Sequence, residues 1–305
     1  MLELRKILFP TDFSPASVAA LDHALLWAEV TDAELLLLHV LSLTTADPFN
    51  PEHHFPEPDA LFDRLQTLAD SGMAELLQAH REKPLRLREF VRRAPEVERG
   101  ILDFAAAEKV DLILLGTHGR RGASHLVMGS VAAEVLRRAP CPVMVIPARG
   151  EHPAGRIHRI LAPVDFSAGS KQAVAVARDL AATTGASLEL FHVVPDLEVP
   201  LPMNPAGLGA SMSVVRDLVP AAREALAEMA TLAGSEVTIT TEVWHGPPAP
   251  TILNRAVETK ADLVVIGTEG HTGLDRLLLG SVAERVARLA TAPVLVVPSR
   301  SRAED

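Results

Sequence analysis

The chain of 305 residues contains one cysteine, Cys141. That excludes an internal disulfide and fits a reducing compartment. The thiol stands between Pro140 and Pro142 at the start of an apolar run, where cysteine reads as a small buried hydrophobe. No apolar stretch approaches the roughly 20 residues of a membrane helix. No secretory core follows Met1–Lys6 either, so the expectation is a cytoplasmic protein with no membrane partner. Long basic runs are missing too, and the formal net charge is -10. Nucleic acid and anionic membranes are therefore poor candidates for the main partner. The local exception is Arg81, Lys83, Arg86, Arg88, Arg92 and Arg93. They read as a charged helix end followed by a sheet-edge strand, where charge discourages edge-to-edge pairing. The usual structural zinc spacings are absent. His53 and His54, with Glu52, Glu57 and Asp59, are neighbours in a loop that seldom point one way, and no metal site is read from them. The loop serines, Ser213 among them, lack a nucleophile-elbow context.

What the chain does contain, it contains twice. Lys6-Ile7-Leu8-Phe9-Pro10-Thr11-Asp12-Phe13-Ser14 returns as Arg159-Ile160-Leu161-Ala162-Pro163-Val164-Asp165-Phe166-Ser167. Gly116-Thr117-His118-Gly119 returns as Gly267-Thr268-Glu269-Gly270. The stretch from Gly129-Ser130-Val131 to Pro147 returns from Gly280-Ser281-Val282 to Pro298, with 11 of 19 positions identical. The offset is 153 at the front and 151 at the back, so each half is a complete folding unit. The expected domains are 1–148 and 157–305, joined by a polar Gly- and Pro-containing linker at 149–156. Each is long enough to bury its own core.

Within each half, short apolar runs alternate with helical patterns. In the first half, strands are expected at Ile7–Phe9, Leu35–Val40, Leu85–Val91, Leu112–Leu115 and Val143–Ile146. Helices are expected from Ser14, as cap, with Pro15 in the first turn, to Thr31, and near 60–81, 95–108 and 130–138. Near-continuous apolar strands separated by helices predict a parallel sheet covered on both faces, hence two tandem doubly wound α/β domains. Two segments read as irregular, 43–58 and 195–213. Both follow the second strand and overhang the same sheet end, where long loops often serve function.

In such sheets ligands bind beyond the carboxyl ends of the strands. Asp12 and Asp165 end strand one and suit ribose hydroxyls. Helix capping is the alternative role for an aspartate there, but Ser14 and Ser167 already compete for it. Gly116, Gly119 and Gly129-Ser130 follow strand four, and Gly267, Gly270 and Gly280-Ser281 keep the same spacing. Glycine lets a backbone approach a phosphate, and a helix opening at Ser130 or Ser281 presents free N–H groups and a positive dipole end. No Gly-Lys-Ser/Thr follows, so this is not a Walker loop. It does not follow the first strand, so it is not a dinucleotide fingerprint either.

These motifs, Gly-x2-Gly-x9-Gly-Ser in both copies, with the strand-one aspartate and the closing Pro-Val-x-Val-hydrophobic-Pro, resemble those of a tandem universal stress protein over nearly the whole chain. The resemblance implies five-stranded sheets in the order 3-2-1-4-5 and ATP, with Mg, as ligand. It implies adenine near Pro10, Thr11 and Val40, or Pro163, Val164 and Val193, with ribose at Asp12 or Asp165. Phosphates would meet Gly119, Gly129, Ser130 and Val131, or Gly270, Gly280, Ser281 and Val282; Gly116, Thr117 and Arg120, or Gly267 and Thr268, complete each set. It also implies a pseudo-dimer in which Val143–Ile146 pairs with Val294–Val297, and homodimers of tandem chains.

The copies then diverge. His118, Arg120, Arg121 and His125 surround the first loop, against Glu269, Asp275 and Arg276 in the second. At an effective dielectric of about 20, one misplaced charge beside a phosphate costs on the order of several kcal/mol. ATP is therefore expected to favour the first domain. Against that, the family's Gly-x-Pro turn survives only in the second copy, as Gly246-Pro247-Pro248, where the first has Arg93-Ala94-Pro95. Function then reads as an ATP-binding stress or signalling protein with little or slow hydrolysis, since no paired acids flank the glycine loop. One alternative is an ATP-hydrolysing or adenylyl-transferring enzyme, which would want a Ser/Gly-rich loop where Asp12-Phe13-Ser14-Pro15 stands. The other is a second domain that binds a different small ligand or a protein partner, with Met203, Leu208 and Met212 as an apolar lid.

Overall fold

The computed structural model describes residues 3–42, 58–78, 85–117, 128–147, 154–195, 206–232, 237–268 and 279–299. They form two compact units, built mainly from Glu3–Arg149 and Arg156–Asp305. In the first, the order is β1 (Lys6–Pro10), α1 (Pro15–Thr31), β2 (Glu34–Leu41), α2 (Pro58–Gln78), β3 (Leu87–Arg93), α3 (Val97–Glu108), β4 (Leu112–Gly116), α4 (Ser130–Arg138) and β5 (Val143–Ile146). All its strand pairs are parallel, in the order β3-β2-β1-β4-β5. The second repeats it with β6 (Arg159–Pro163), α5 (Ala168–Thr184), β7 (Ser187–Val194), α6 (Ala206–Leu232), β8 (Ile239–His245), α7 (Pro248–Glu258), β9 (Leu263–Gly267), α8 (Ser281–Leu289) and β10 (Val294–Val297). Its order, β8-β7-β6-β9-β10, is the expected 3-2-1-4-5 again.

Burial explains the composition of the strands. Leu35, Leu36, Leu37 and Leu38 in β2, and Val294 to Val297 in β10, are all buried, because helices cover both sheet faces. At the edge, β3 alternates differently: Arg88, Glu89, Arg92 and Arg93 are exposed. Arg88 and Arg92 lie over the Phe90 ring at 4.8 and 5.4 Å, and Arg93 reaches Asp63. The basic cluster is thus a solvated edge packed on aromatic rings, as far as it is described; Arg81 and Lys83 lie outside the described residues.

The helix signals act locally as read. Ser14 Oγ accepts from Ser17 N–H at 3.2 Å, and Pro15 follows in the first turn. Ser167 repeats the cap at 3.1 Å from Ser170 N–H. Such a cap stabilises a helix by about 1 kcal/mol. Asp111 Oδ2 takes the amides of Arg5 and Lys6 at 2.8 and 2.9 Å, and Asp262 does the same for His158 and Arg159, fixing strand one beside strand four in each copy.

One expectation needs correcting. Residues 206–213 are not irregular but open α6, which runs 27 residues with Pro220 inside it. Gly207 and Gly209 each disfavour helix by about 1 kcal/mol, which hides the signal. The helix is anchored further along, where Ala222 and Leu226 are buried, and extending a formed helix costs less than starting one. Leu208 and Met212 therefore lie on a helix rather than in a loop, while Met203 lies outside the described residues.

Candidate functional site

At the carboxyl end of β1 the chain makes a tight, strained turn. Thr11 N–H still belongs to the sheet and donates to Leu38 O at 2.9 Å. Two residues later Phe13 adopts φ 60°, and Phe166 in the copy φ 65°. A bulky residue in the left-handed region costs on the order of 1–3 kcal/mol, and such strain clusters at functional sites. The turn lets Asp12 Oδ1 accept from Ser14 N–H at 3.0 Å, and Asp165 Oδ1 from Ser167 N–H at 3.0 Å. Each aspartate, half-buried, thus supports the turn immediately before the helix while Ser14 or Ser167 performs the cap itself.

Around this turn the two copies share one feature and differ in another. The shared one is an imidazole at the end of strand two. His39 Nδ1 donates to Thr11 O at 2.8 Å and its ring stacks on Phe13, with centroids 4.6 Å apart. His192 Nδ1 donates to Val164 O at 2.7 Å and packs on Phe166 at 4.7 Å. The differing feature is Thr11. Its hydroxyl is buried, 2.8 Å from Ser17 Oγ, and accepts from Phe13 N–H at 3.1 Å. Val164 can do neither.

The glycine motif has a packing role of its own. A Cβ on Gly116 would lie 3.1 Å from Ala16 O, and one on Gly267 2.7 Å from Gly169 O. Glycine is what lets strand four approach the first turn of α1 or α5, and so brings the strand-four end beside the strand-one turn. Gly129 N–H then donates to Thr117 O at 2.8 Å, and Gly280 N–H to Thr268 O at 2.7 Å. The loop leaving strand four is tied at its base, and α4 or α8 starts from that knot. Gly129 and Gly280 cap their helices without any side-chain hydrogen bond, so first-turn N–H groups remain for an anion. The α4 first turn carries no acid, whereas α8 carries Glu284.

Of the residues expected at the first site, Pro10, Thr11, Asp12, Gly116, Thr117, Gly129, Ser130 and Val131 lie on these three converging ends. Val40, on β2, is buried, and a Cβ on Gly100 of α3 would come within 2.8 Å of its Cγ1. In the copy Pro163, Val164, Asp165, Val193, Gly267, Thr268, Gly280, Ser281 and Val282 occupy the matching places. Gly119, Arg120 and Gly270 lie outside the described residues, as do His118, Arg121, His125, Glu269, Asp275 and Arg276, and likewise His53, His54 and their acidic neighbours up to Glu57. What residue-by-residue reading missed is Phe13 and Phe166 as strained turn residues, and Ser17 as the partner of Thr11. The doubled Asp-Phe-Ser was the available signal.

Comparison with known proteins decides the family. The model of the universal stress protein family matches residues 3–147 and again 156–298. The chain belongs to the universal stress protein family. A universal stress protein of Mycolicibacterium smegmatis is 28% identical over 96% of this chain and 97% of its own. One from Mycobacterium tuberculosis is 30% identical over 95% of both. Among solved structures, a universal stress protein from Archaeoglobus fulgidus superposes with a TM-score of 0.67 at 22% identity, covering 98% of both chains, a likeness of fold.

Proposed function

We propose that this universal stress protein binds ATP, favours it in the first domain, and works in stress response or signalling as a nucleotide-dependent binding protein with at most slow hydrolysis. The observation that carries the reading is the convergence of the strained Asp12 turn with the α4 N-terminus, which has neither a side-chain cap nor an acid in its first turn. A carboxylate for ribose hydroxyls then stands at the same sheet end as free amides for phosphate. Among the described residues no group of His, Cys, Asp and Glu side chains gathers to hold a metal ion. In this reading Mg2+ arrives on the triphosphate, coordinated by its oxygens and by water. No described helix is long and apolar enough to cross a membrane.

A second reading concerns the other domain alone. Val164 in place of Thr11 and Glu284 in the first turn of α8 favour a less charged ligand than a triphosphate there.

Native mass spectrometry with Mg-ATP tests both. One nucleotide per chain, lost in Asp12→Ala and kept in Asp165→Ala, is the expected result. Two nucleotides, or loss only with Asp165→Ala, would remove the first-domain preference. None at millimolar ATP would sink the nucleotide reading.

A further inference from the structure

We propose that His39 is a positioning residue for the acid of the first-domain site, acting through Phe13 and Thr11, and that His192 repeats the device through Phe166 and Val164. This rests on the nucleotide-binding reading above for its functional consequence, though not for its geometry.

The turn that places Asp12 depends on Phe13 staying at φ 60°, a conformation that a bulky side chain leaves readily unless it is held. Three elements hold it. The His39 ring stacks on the Phe13 ring with an interplanar angle of 30°. The same imidazole donates Nδ1–H to Thr11 O, while Thr11 N–H donates to Leu38 O, so the residue before Asp12 is held at both its backbone N–H and its C=O. The third is α2, which comes so close that a Cβ on Gly72 would meet three Phe13 ring carbons at 3.2–3.3 Å. With the ring in contact with both the imidazole and the helix, the left-handed Phe13 backbone is held, and Asp12 Oδ1 accepts from Ser14 N–H. The carbonyl acceptor fixes the tautomer: Nδ1 carries the proton. In the second unit the imidazole, the aromatic ring, the positive φ and the hydrogen bond from the serine N–H to the aspartate all recur, although the residue before the aspartate changes from Thr11 to Val164. A merely space-filling pair would need neither the repeated donor geometry nor the repeated strain.

The test compares wild type with His39→Leu, His39→Asn and Gly72→Ala. The asparagine amide can reach where Nδ1–H lay, without the stacking ring. Hydrogen exchange of the Ser14 amide, by NMR, reads the turn without any ligand. Calorimetric titration with ATP and with 2′-deoxy-ATP reads its effect on ribose selection. His39→Leu should speed Ser14 exchange at least tenfold while leaving α3 amides protected. It should weaken ATP binding about tenfold and bring the ATP to 2′-deoxy-ATP preference towards one. His39→Asn should recover most of each loss, and Gly72→Ala should shift Ser14 exchange in the same direction as His39→Leu. Unchanged Ser14 exchange in His39→Leu overturns the positioning role, as does an asparagine variant no better than leucine. A wild-type chain that binds no ATP overturns the nucleotide reading, and the exchange experiment still decides the positioning role.

Discussion

Gly129 donates its amide hydrogen to the carbonyl of Thr117 at 2.8 Å, and this one bond joins the end of β4 to the start of α4. Gly280 and Thr268 repeat it at 2.7 Å, yet the two knots differ in tightness. A Cβ on Gly129 would sit 3.5 Å from Thr117 O, an ordinary contact, whereas one on Gly280 would sit 2.9 Å from Thr268 O. At the neighbouring strand ends the corresponding values are 3.1 Å for Gly116 and 2.7 Å for Gly267, against backbone in both cases. Gly267→Ala should therefore destabilise the second unit by about 1–3 kcal/mol, the usual cost of overpacking. Gly116→Ala should cost less in the first unit, and Gly129→Ala close to nothing. Urea denaturation separates the units because Trp27 lies in one and Trp244 in the other.

Thr11→Val would give the first turn the side chain of the second. It leaves the buried Ser17 hydroxyl and the Phe13 amide without the oxygen they now share. A loss of about 1–3 kcal/mol is expected in the transition that Trp27 reports. A neutral result would mean that Ser17 finds a new hydrogen-bond partner.

Arg255 Nε and Nη2 grip Glu189 at 2.6 and 3.0 Å, with Nη1 on Glu258 at 3.1 Å and the guanidinium 5.1 Å from the Trp244 ring centre. The first-named carboxylate is also the main reason the Arg255 pKa is raised further above its ordinary value. In the first unit the place of Glu189 belongs to Leu36, both being registered on strand one. Glu189→Leu should cost about 1–3 kcal/mol, because Arg255 loses its two-point carboxylate and keeps only Glu258. The double change Glu189→Leu, Arg255→Leu should recover part of that loss, read by the Trp244 transition.

Cys141 is buried, and burial, with the charge of Asp111 adding to it, pushes its thiol up from 9.0 to about 12. The neutral thiol is favoured in the fold, so its contribution is fully present below the unfolded-state pKa. Above that value the unfolded chain loses the proton and the folded chain keeps it, so stability falls as pH rises from about 9 towards 12. The total is on the order of 4 kcal/mol. Cys141→Ala should flatten the slope of denaturation midpoint against pH over that range relative to wild type. At pH 8 the native thiol should resist alkylation that the unfolded chain accepts.

Glu284 sits in the first turn of α8, where α4 carries no acid. A carboxylate about 8 Å from a phosphate opposes it by about 2 kcal/mol at an effective dielectric of ~20, before screening. In an Asp12→Ala chain, Glu284→Ala should strengthen ATP binding at the second site roughly five- to tenfold by calorimetry, a gain of about 1 kcal/mol. An unchanged affinity would show that the α8 acid does not set the difference between domains.

Much of this was legible locally. Ser14-Pro15 announces α1 because a capping oxygen and a proline with a preset φ act within one turn. The leucine run at 35–38 announces a strand buried on both faces, because only helices on both sides leave no polar position. The Gly207 and Gly209 pair hid the start of α6, since its stability comes from residues well over a turn away.

The sequence by itself determined that there are two domains, that each is a doubly wound parallel sheet, and that Asp12, Asp165 and the glycine motifs stand at strand ends. Those follow from periodicity, capping and repetition, which act between near neighbours or between copies. Only the tertiary structure decided that Phe13 and Phe166 carry the strain of the turn, that His39 and His192 brace it, and that Gly116 and Gly267 are glycines because a helix start crosses them. The reason is physical: a left-handed backbone, a stacked ring and a 3 Å backbone approach are imposed by contacts between residues far apart in the chain, and no local preference encodes them.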